Sequence, residues 1–273
     1  MPGSSARSPS ARSPIGVFDS GIGGLTVVRA LMERLPFEDI IYFGDTARVP
    51  YGVKSVETIR SFTTQIADYL LERDVKLLII ACNTMAAVAG EAVRERSSVP
   101  VLDVIDAGAR AAVEISKKGI GVIGTPTTIN SNAYARSIHA LNPNLHVYSQ
   151  ACPLFVPLVE EGWLDHEVTR LTAREYLKPA LVEQIDAMVL GCTHYPLLKP
   201  LLQEVAGPGI KLVDSATTIA EQTARVLSEM DMHNPQRGEP RYDYVVTDVP
   251  LRFQTIGSRF LGREFKHLEQ VRW

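Results

Sequence analysis

The sequence predicts an α/β protein made of two similar halves, each with a largely parallel sheet. From residue 15 onward, short apolar runs of strand length alternate with helical patterns. Several of these runs are apolar throughout, as is typical of strands buried on both faces. The same pattern begins again near residue 120. A chain of 273 residues that is 45% hydrophobic and 22% charged can bury a sizeable core, as one large domain or two smaller ones.

The first half alternates four strands with four helices. The apolar runs predict strands at 15–18, 40–43, 77–81 and 99–104, and the patterns between and after them predict helices at 25–35, 55–73, 84–96 and 107–117. The first of these helices shows the reason most clearly, because five apolar residues share one face before Pro36 ends the pattern. These residues are Leu25, Val28, Leu31, Met32 and Leu35.

Two landmarks recur at nearly the same offset in the second half. Gly121 follows Gly16 by 105 residues, and Cys192 follows Cys82 by 110. The strands predicted at 119–123 and 187–190 therefore repeat those at 15–18 and 77–81, which favours a duplicated α/β unit over chance similarity between apolar runs. Residues 242–247 and 253–260 predict a further strand and helix, whereas the prolines in 1–14 predict a disordered tail.

Charge and cysteine content limit the classes of partner. The 28 basic and 31 acidic residues give a net charge of −3, so no nucleic-acid or anionic-membrane partner is expected. No apolar run reaches the roughly 20 residues that span a bilayer. Three cysteines do not make a disulfide framework, and reduced thiols in the cytoplasm are the natural interpretation.

Polar residues follow four of the predicted strands. They are Asp19-Ser20-Gly21, Gly44-Asp45-Thr46, Cys82-Asn83-Thr84 and Cys192-Thr193-His194. In open parallel sheets, ligands bind beyond the carboxyl ends of the strands, so these segments are the candidate site.

Cys82 and Cys192 are the candidate reactive groups. Each comes after a strand and before a predicted helix, where the helix N-terminus lowers the pKa of a thiol. Two thiols on opposite sides of one crevice suit removal of a proton from one face of a carbon and its return to the other face. This pair predicts a racemase or epimerase; the alternative is that both are small core residues, as we expect for Cys152.

The neighbouring polar groups suit a small zwitterion. Backbone amides around Ser20-Gly21 and Asn83-Thr84 could hold a carboxylate. Asp19 and Asp45 could hold an ammonium group, or each could cap a helix instead. Tyr51-Gly52 could supply backbone contacts from a loop or form an ordinary turn.

Three other motifs are incomplete. Gly21-Ile22-Gly23-Gly24 resembles a dinucleotide fingerprint, but position 26, where a third glycine is needed, is Thr26. No phosphate-binding Gly-Lys-Ser/Thr sequence is present. Cys82, Cys192 and His194 lack the paired spacing and the fourth ligand of a zinc site, so no metal is expected.

Several segments together resemble the glutamate racemases. The similarity is carried by 16–26 (GVFDSGIGGLT), 42–52 (YFGDTARVPYG), 81–84 (ACNT) and 191–197 (GCTHYPL), with further matches at 121–134 and 152–160. It extends from about residue 15 to about 220, and the combination is specific although no single piece is. Residues 233–273 match only weakly, and the N-terminal tail is extra.

The resemblance implies a cofactor-independent enzyme that interconverts L- and D-glutamate, the latter for peptidoglycan. It implies two similar domains related by a pseudo-two-fold axis, here 15–105 with 220–273, and 106–219, with the active site in the cleft between them. Cys82 and Cys192 match the catalytic thiols, and Asp19 and His194 the groups that assist them. The glutamate-binding positions correspond to Asp19, Ser20, Tyr51, Gly52, Asn83, Thr84, Thr193 and His194. Asp45 and Glu160 match acidic residues that line the site.

Other roles remain open at this point. An aspartate or hydantoin racemase would use the same paired thiols, and a binding module could close around an amino acid without converting it. The resemblance also implies a homodimer and an allosteric cell-wall precursor as candidate partners. Some family members bind DNA gyrase, but no feature of this sequence indicates that interaction.

Overall fold

The strands of this protein form two separate sheets. The computed structural model describes residues 9–249 and 253–273. The strands in these ranges are β1 (Ile15–Asp19), β2 (Ile40–Gly44), β3 (Leu77–Ile80), β4 (Val101–Asp103), β5 (Gly119–Gly124), β6 (His146–Ala151), β7 (Ala187–Gly191), β8 (Lys211–Asp214), β9 (Tyr242–Val246) and β10 (Leu268–Gln270).

Helices connect most of these strands. They are α1 (Leu25–Arg34), α2 (Val56–Leu71), α3 (Asn83–Arg96), α4 (Val104–Ile115), α5 (Pro126–Asn130), α6 (Ala133–Leu141), α7 (Phe155–Glu160), α8 (Glu167–Leu181), α9 (Lys199–Ala206), α10 (Ser215–Glu229) and α11 (Phe253–Leu261). Single 3₁₀ turns lie at Thr46–Arg48, Tyr51–Val53 and Tyr195–Leu198. No helix in the described residues is both long enough and apolar enough to cross a bilayer.

Both sheets are parallel and share one strand order. The first sheet runs β10-β9-β2-β1-β3-β4 and the second β6-β5-β7-β8, with every described pair parallel. The order β2-β1-β3-β4 in the first sheet is thus repeated as β6-β5-β7-β8 in the second. Gly16 and Gly121 lie in equivalent strands, β1 and β5, and the two cysteines follow β3 and β7. The predicted α/β fold with two similar parallel sheets is confirmed.

The central strands explain why the site lies where it does. Every residue of β1, β3 and β7 is buried, so side chains exposed to a ligand can come only from beyond the strand ends. Helix α4 begins at residue 104 rather than at the predicted 107. The reason is Asp103, whose Oδ1 accepts hydrogen bonds from the N–H groups of Ile105 (2.8 Å) and Asp106 (3.0 Å) and so caps the helix.

A buried ion pair holds the opposite end of the first sheet. Lys76 Nζ lies 2.5 Å from Glu38 Oε2 and also donates to the carbonyl oxygens of Ala11 and Met232. Residues 11–13 form a turn beside this lysine, with the carbonyl oxygen of Ala11 as one of its acceptors, and the disorder of the 1–14 tail stays a prediction. Residues 1–8 of that tail lie outside the described residues.

The C-terminal segment returns to the first sheet. It contributes β9 and β10, with α11 between them, and β10 was not predicted. Helix α10 packs against both α1 and α4, and the predicted domain boundary at 219/220 falls inside it. The exact division into domains therefore stays a prediction.

Candidate active site

A cleft of about 520 Å³ opens beyond the carboxyl ends of the central strands of both sheets. Most of the candidate site residues line it. From the first half they are Ser20, Tyr51, Gly52, Cys82 and Thr84; from the second half they are Glu160, Cys192, Thr193 and His194. Asp19, Asn83 and Asp45 are not among the residues lining this cleft, so each needs a separate description.

Cys82 lies at the N-cap position of α3. Its Sγ donates to Ser20 Oγ at 3.4 Å, and the carboxyl group of Asp19 lies beside it. Burial, and then the negative charge of Asp19, raise the pKa of Cys82 to about 12. The expectation that the helix N-terminus lowers this pKa is therefore wrong for Cys82, because desolvation outweighs the helix in this buried position.

Asp19 is buried behind Cys82. Its Oδ2 accepts a hydrogen bond from the N–H of Gly21 at 3.1 Å. Burial raises the pKa of Asp19, while backbone N–H donors and the nearby His194 oppose the rise. Its carboxyl group also interacts with the adjacent thiol of Cys82, as an assisting group would.

Cys192 belongs to a chain of three polar side chains. Its Sγ lies 3.9 Å from His194 Nδ1, and His194 Nε2 lies 3.0 Å from Glu160 Oε1. Burial alone would lower the pKa of His194, but its interactions with Cys192 and Glu160 raise it to about 10. The imidazole is therefore cationic at neutral pH. A 3₁₀ turn begins three residues after Cys192 and leads directly into α9.

The third cysteine takes no part in this arrangement. Cys152 is fully buried, and its carbonyl oxygen accepts a hydrogen bond from Tyr195 Oη at 2.8 Å. Burial raises the pKa of its thiol. Cys152 has the surroundings expected of a core residue.

Asp45 does not line the cleft, in contrast to the prediction. It is fully buried, its Oδ2 accepts hydrogen bonds from Arg48 Nε (2.6 Å) and from Tyr51 Oη, and its Oδ1 accepts from Thr247 Oγ1 at 2.9 Å. Both carboxylate oxygens of Asp45 are thus hydrogen-bonded to other residues of the protein. Asp45 contacts the cleft through the hydroxyl group of Tyr51, which is a lining residue.

Asn83 has an unused hydrogen-bond donor. Its Oδ1 accepts from Tyr134 Oη at 2.7 Å, so the amide is held with Nδ2 as the free end. That Nδ2 is buried and has no partner among the described residues. An unpaired buried donor is costly, which favours a ligand oxygen as its partner.

Threonine and glycine residues join the two halves across the cleft. Thr84 Oγ1 lies 3.0 Å from Thr125 Oγ1, and Thr127 Oγ1 donates to the carbonyl oxygen of Gly52 at 2.8 Å. These contacts link the loop that carries Tyr51 to helix α5 of the second half. Thr125, which is outside the predicted site residues, also lines the cleft.

The glycine-rich loop is explained by close packing. A Cβ at Gly23 would overlap Thr193 Oγ1 and lie 2.7 Å from His194 Nδ1, and one at Gly24 would lie 2.6 Å from Cβ of Asp19. These glycines let the first loop pass directly beneath the catalytic candidates of both halves. The resemblance to a dinucleotide fingerprint therefore has a packing cause.

The C-terminal helix α11 contributes two residues that are not among the predicted site residues. Ile256 lines the cleft, and the ring of Phe260 packs edge to face on His194, with centroids 5.0 Å apart. Their spacing of four residues places both on one face of the helix. The spacing of these two apolar residues in the sequence indicates that they share a helix face, but it does not indicate which part of the protein this face packs against.

The described residues contain no group of three or more His, Cys, Asp or Glu side chains arranged to hold a metal ion. Cys82 has Asp19 and Ser20 as its neighbours, and Cys192 has His194. The chemistry of the cleft is thus that of two thiols, each with its own polar partners, in a two-domain α/β architecture typical of amino-acid racemases.

The chain belongs to the Asp/Glu/Hydantoin racemase family, whose model matches residues 15–223. It is 69% identical over 259 residues to the glutamate racemase of Syntrophus aciditrophicus, covering 94% of this chain and 96% of the relative. Glutamate racemase from Francisella tularensis, solved with D-glutamate, superposes with a TM-score of 0.91 at 47% identity, covering 96% and 98% of the two chains. The Escherichia coli glutamate racemase, solved with L-glutamate and the activator UDP-MurNAc-ala, superposes with a TM-score of 0.76 at 29% identity. The match covers 95% of this chain and 98% of that chain. The predicted resemblance is confirmed, and the protein is an amino-acid racemase, which is an isomerase.

Asp45 and Glu160 should respond in opposite ways to replacement by their amides. Asp45→Asn breaks a buried ion pair and should lower the free energy of unfolding by about 3 kcal/mol. Glu160 is 43% exposed at its side chain, so Glu160→Gln should leave stability nearly unchanged but lower turnover by about tenfold, because His194 loses its partner. Denaturant unfolding and turnover, measured on both variants, test this contrast. Equal losses of stability in the two variants would contradict it.

His194 should make stability depend on pH above neutrality. The pKa of His194 in the folded protein is about 10, whereas the ordinary histidine pKa is about 6.5. The contribution of His194 to the free energy of unfolding is therefore complete below about pH 6.5 and disappears as the pH rises through about 10. We therefore expect wild type to lose more stability between about pH 6.5 and 9 than His194→Gln does. The measurement is denaturant unfolding across this range. Parallel pH curves for the two proteins would contradict the assignment.

Proposed function

We propose that the protein is a glutamate racemase that moves the Cα proton between two cysteine side chains. The observation that carries this proposal is the position of Cys82 and Cys192, which come from equivalent strand ends of the two sheets and line one cleft. Each has separate polar partners, Asp19 and Ser20 for Cys82 and His194 and Glu160 for Cys192. Two independent acid–base groups are what stereochemical inversion at a carbon needs.

The proton moves in two steps. A thiolate takes the proton from Cα, and the electrons of the C–H bond remain on the substrate as a carbanion conjugated with its carboxylate. The thiol on the opposite face then gives its own proton to Cα. Catalysis needs no net change of protons, since one cysteine gains the proton that the other loses.

The two cysteines are expected to serve different enantiomers. Burial and Asp19 raise the pKa of Cys82 to about 12, which favours its thiol, whereas Cys192 Sγ lies 3.9 Å from the imidazole Nδ1 of His194, which can take up its proton. This state suits proton removal by Cys192 and proton donation by Cys82. By analogy with the family, Cys192 takes the proton from L-glutamate and Cys82 takes it from D-glutamate.

Substrate binding uses the donors that surround the thiols. Asn83 Nδ2 is a buried donor without a partner, and the hydroxyl groups of Ser20, Thr84 and Thr193 lie in or beside the cleft. We assign these groups, with the backbone around Ser20 and Gly21, to the carboxylates of glutamate. Tyr51 and Gly52 form the adjoining wall.

The cellular role follows from the product. D-glutamate is a component of peptidoglycan, so we place the enzyme in the cytoplasm as a supplier of that pathway. We further propose a homodimer and sensitivity to a cell-wall precursor, since the Escherichia coli relative was solved with UDP-MurNAc-ala as activator. Sedimentation and activity with and without that nucleotide test these two points.

The direct test is a chiral assay with each enantiomer of glutamate in heavy water. We expect conversion in both directions, with deuterium entering Cα of the product faster than that of the remaining substrate. Dialysis against a chelator and addition of pyridoxal phosphate should leave the rate unchanged. A panel containing aspartate and hydantoins separates the related racemases. Binding of glutamate without conversion would refute the proposal and identify a binding module.

A further inference from the structure

The C-terminal helix α11 contacts the site from an unexpected direction. It is followed by β10 of the first sheet, but the Phe260 ring packs on His194, which follows β7 of the second sheet. Phe260 is 1% exposed, so this contact excludes water from one side of the imidazole. Ile256, one turn earlier, lines the cleft itself.

The same helix also contacts the segment that carries Glu160. Arg259 Nη1 donates to the carbonyl oxygen of Val159 at 3.5 Å, at the C-terminal end of α7. The guanidinium group packs over Gly162, whose φ of +80° and lack of a side chain leave room for it. A cation at the end of a helix interacts favourably with its last carbonyl groups. Helix α11 therefore contacts His194 at Phe260 and the neighbourhood of its partner Glu160 at Arg259.

Small residues allow α11 to come this close. A Cβ at Gly257 would lie 2.6 Å from the ring of Phe265 and 3.3 Å from Leu25 Cδ1. The helix is thus held between α1 on one side and Phe265 on the other, with Phe260 directed at His194. Phe265 packs on Tyr244 of β9, with centroids 4.9 Å apart, which anchors it to the first sheet.

We propose that Phe260 is a positioning residue for the His194–Glu160 pair, and that α11 thereby supports the half of the reaction that uses Cys192. This inference rests on the proposed two-cysteine function. The ring limits the rotation of His194 between Cys192 Sγ and Glu160 Oε1. The other ionisable group that acts on this imidazole is Asp19, on the Cys82 side. A His194 ring that rotates more freely should thus slow proton removal by Cys192 and leave proton removal by Cys82 unchanged.

Racemisation rates cannot reveal such an asymmetry. Because the two enantiomers have equal free energies, kcat/KM must be the same in both directions for every variant. Elimination from a glutamate analogue with a leaving group on Cβ avoids this constraint. One base removes the Cα proton, the leaving group departs with the Cβ bond electrons, and the resulting enamine hydrolyses to a 2-oxo acid and ammonia.

The test compares Phe260→Leu with Phe265→Leu, a matched loss of a ring that packs against the same helix away from His194. Elimination from the L analogue should fall about tenfold in Phe260→Leu, the effect of a less precisely held catalytic group. Elimination from the D analogue should stay within about twofold of wild type, and Phe265→Leu should not distinguish the enantiomers. Equal losses for both enantiomers in Phe260→Leu, or no loss, would overturn the proposal.

A second measurement does not depend on turnover. NMR titration of the His194 imidazole in the substrate-free protein reports its contacts with Cys192 and Glu160. We expect the pKa of His194 to move toward the ordinary histidine value in Phe260→Leu, as it should in Glu160→Gln, and to remain unchanged in Phe265→Leu. An unchanged titration in Phe260→Leu would overturn the proposal. If wild type neither racemises nor eliminates, the proposed function fails, and this titration still decides whether Phe260 positions His194.

Discussion

Cys82→Ser should lower racemisation of glutamate by about a thousandfold or more while sparing elimination from the L analogue. Serine retains a hydroxyl group at the same place but is a far weaker base than a cysteine thiolate. Elimination from the L analogue needs only Cys192 as the base. The polar partners of Cys192 are His194 and Glu160, and Cys82→Ser leaves both in place. Chiral chromatography measures the first rate, and release of the 2-oxo acid measures the second.

Cys192→Ser should show the opposite pattern and spare elimination from the D analogue. Cys152→Ser is the matched control, because Cys152 lies in the core and not in the cleft. It should retain both eliminations and racemisation in proportion to the folded protein. If the two site variants show exchanged enantiomer preferences, the assignment of the faces is reversed. Equal loss of both eliminations in both variants would argue against two independent bases.

Gly23→Ala should inactivate the enzyme by about a hundredfold or more although Gly23 carries no functional group. The new methyl group would overlap Thr193 Oγ1 and come within 2.7 Å of His194 Nδ1. The substitution pushes the loop of the first half away from the second-half residues that assist Cys192. Overpacking of this kind also costs about 1–3 kcal/mol of stability.

Gly209→Ala provides the control for this substitution. Apart from its chain neighbours, no atom of the described residues lies within 4 Å of a Cβ built at Gly209, so the same chemical change should leave turnover and stability close to wild type. Turnover and denaturant unfolding of both variants separate a local effect on the site from a general effect of replacing glycine. Full activity in Gly23→Ala would show that the close approach of the two halves is not needed.

The sequence by itself determined the order of the elements and the location of the site. Strand and helix signals are local: β3 is a run of four buried apolar residues, and α1 repeats its apolar residues with helical spacing. The topology of a parallel sheet then places the residues after β1 and β3 at one end of the first sheet and those after β7 at the equivalent end of the second. Cys82 and Cys192 could therefore be identified as candidates from their place after the strands. The offsets of 105 and 110 residues also predicted the duplication, because equivalent strands have equivalent neighbours.

Only the tertiary structure decided how individual side chains are used. Asp45 follows β2 and Asp19 ends β1, so the two have similar places in the sequence. Arg48, Tyr51 and Thr247 nevertheless occupy both carboxylate oxygens of Asp45, and Thr247 lies some 200 residues away along the chain. The pKa of Cys82 depends on burial and on Asp19, which outweigh the local effect of the helix N-terminus. Phe260 reaches His194 only because α11 packs between the halves. Such contacts join residues that are distant in sequence, and local periodicity carries no information about them.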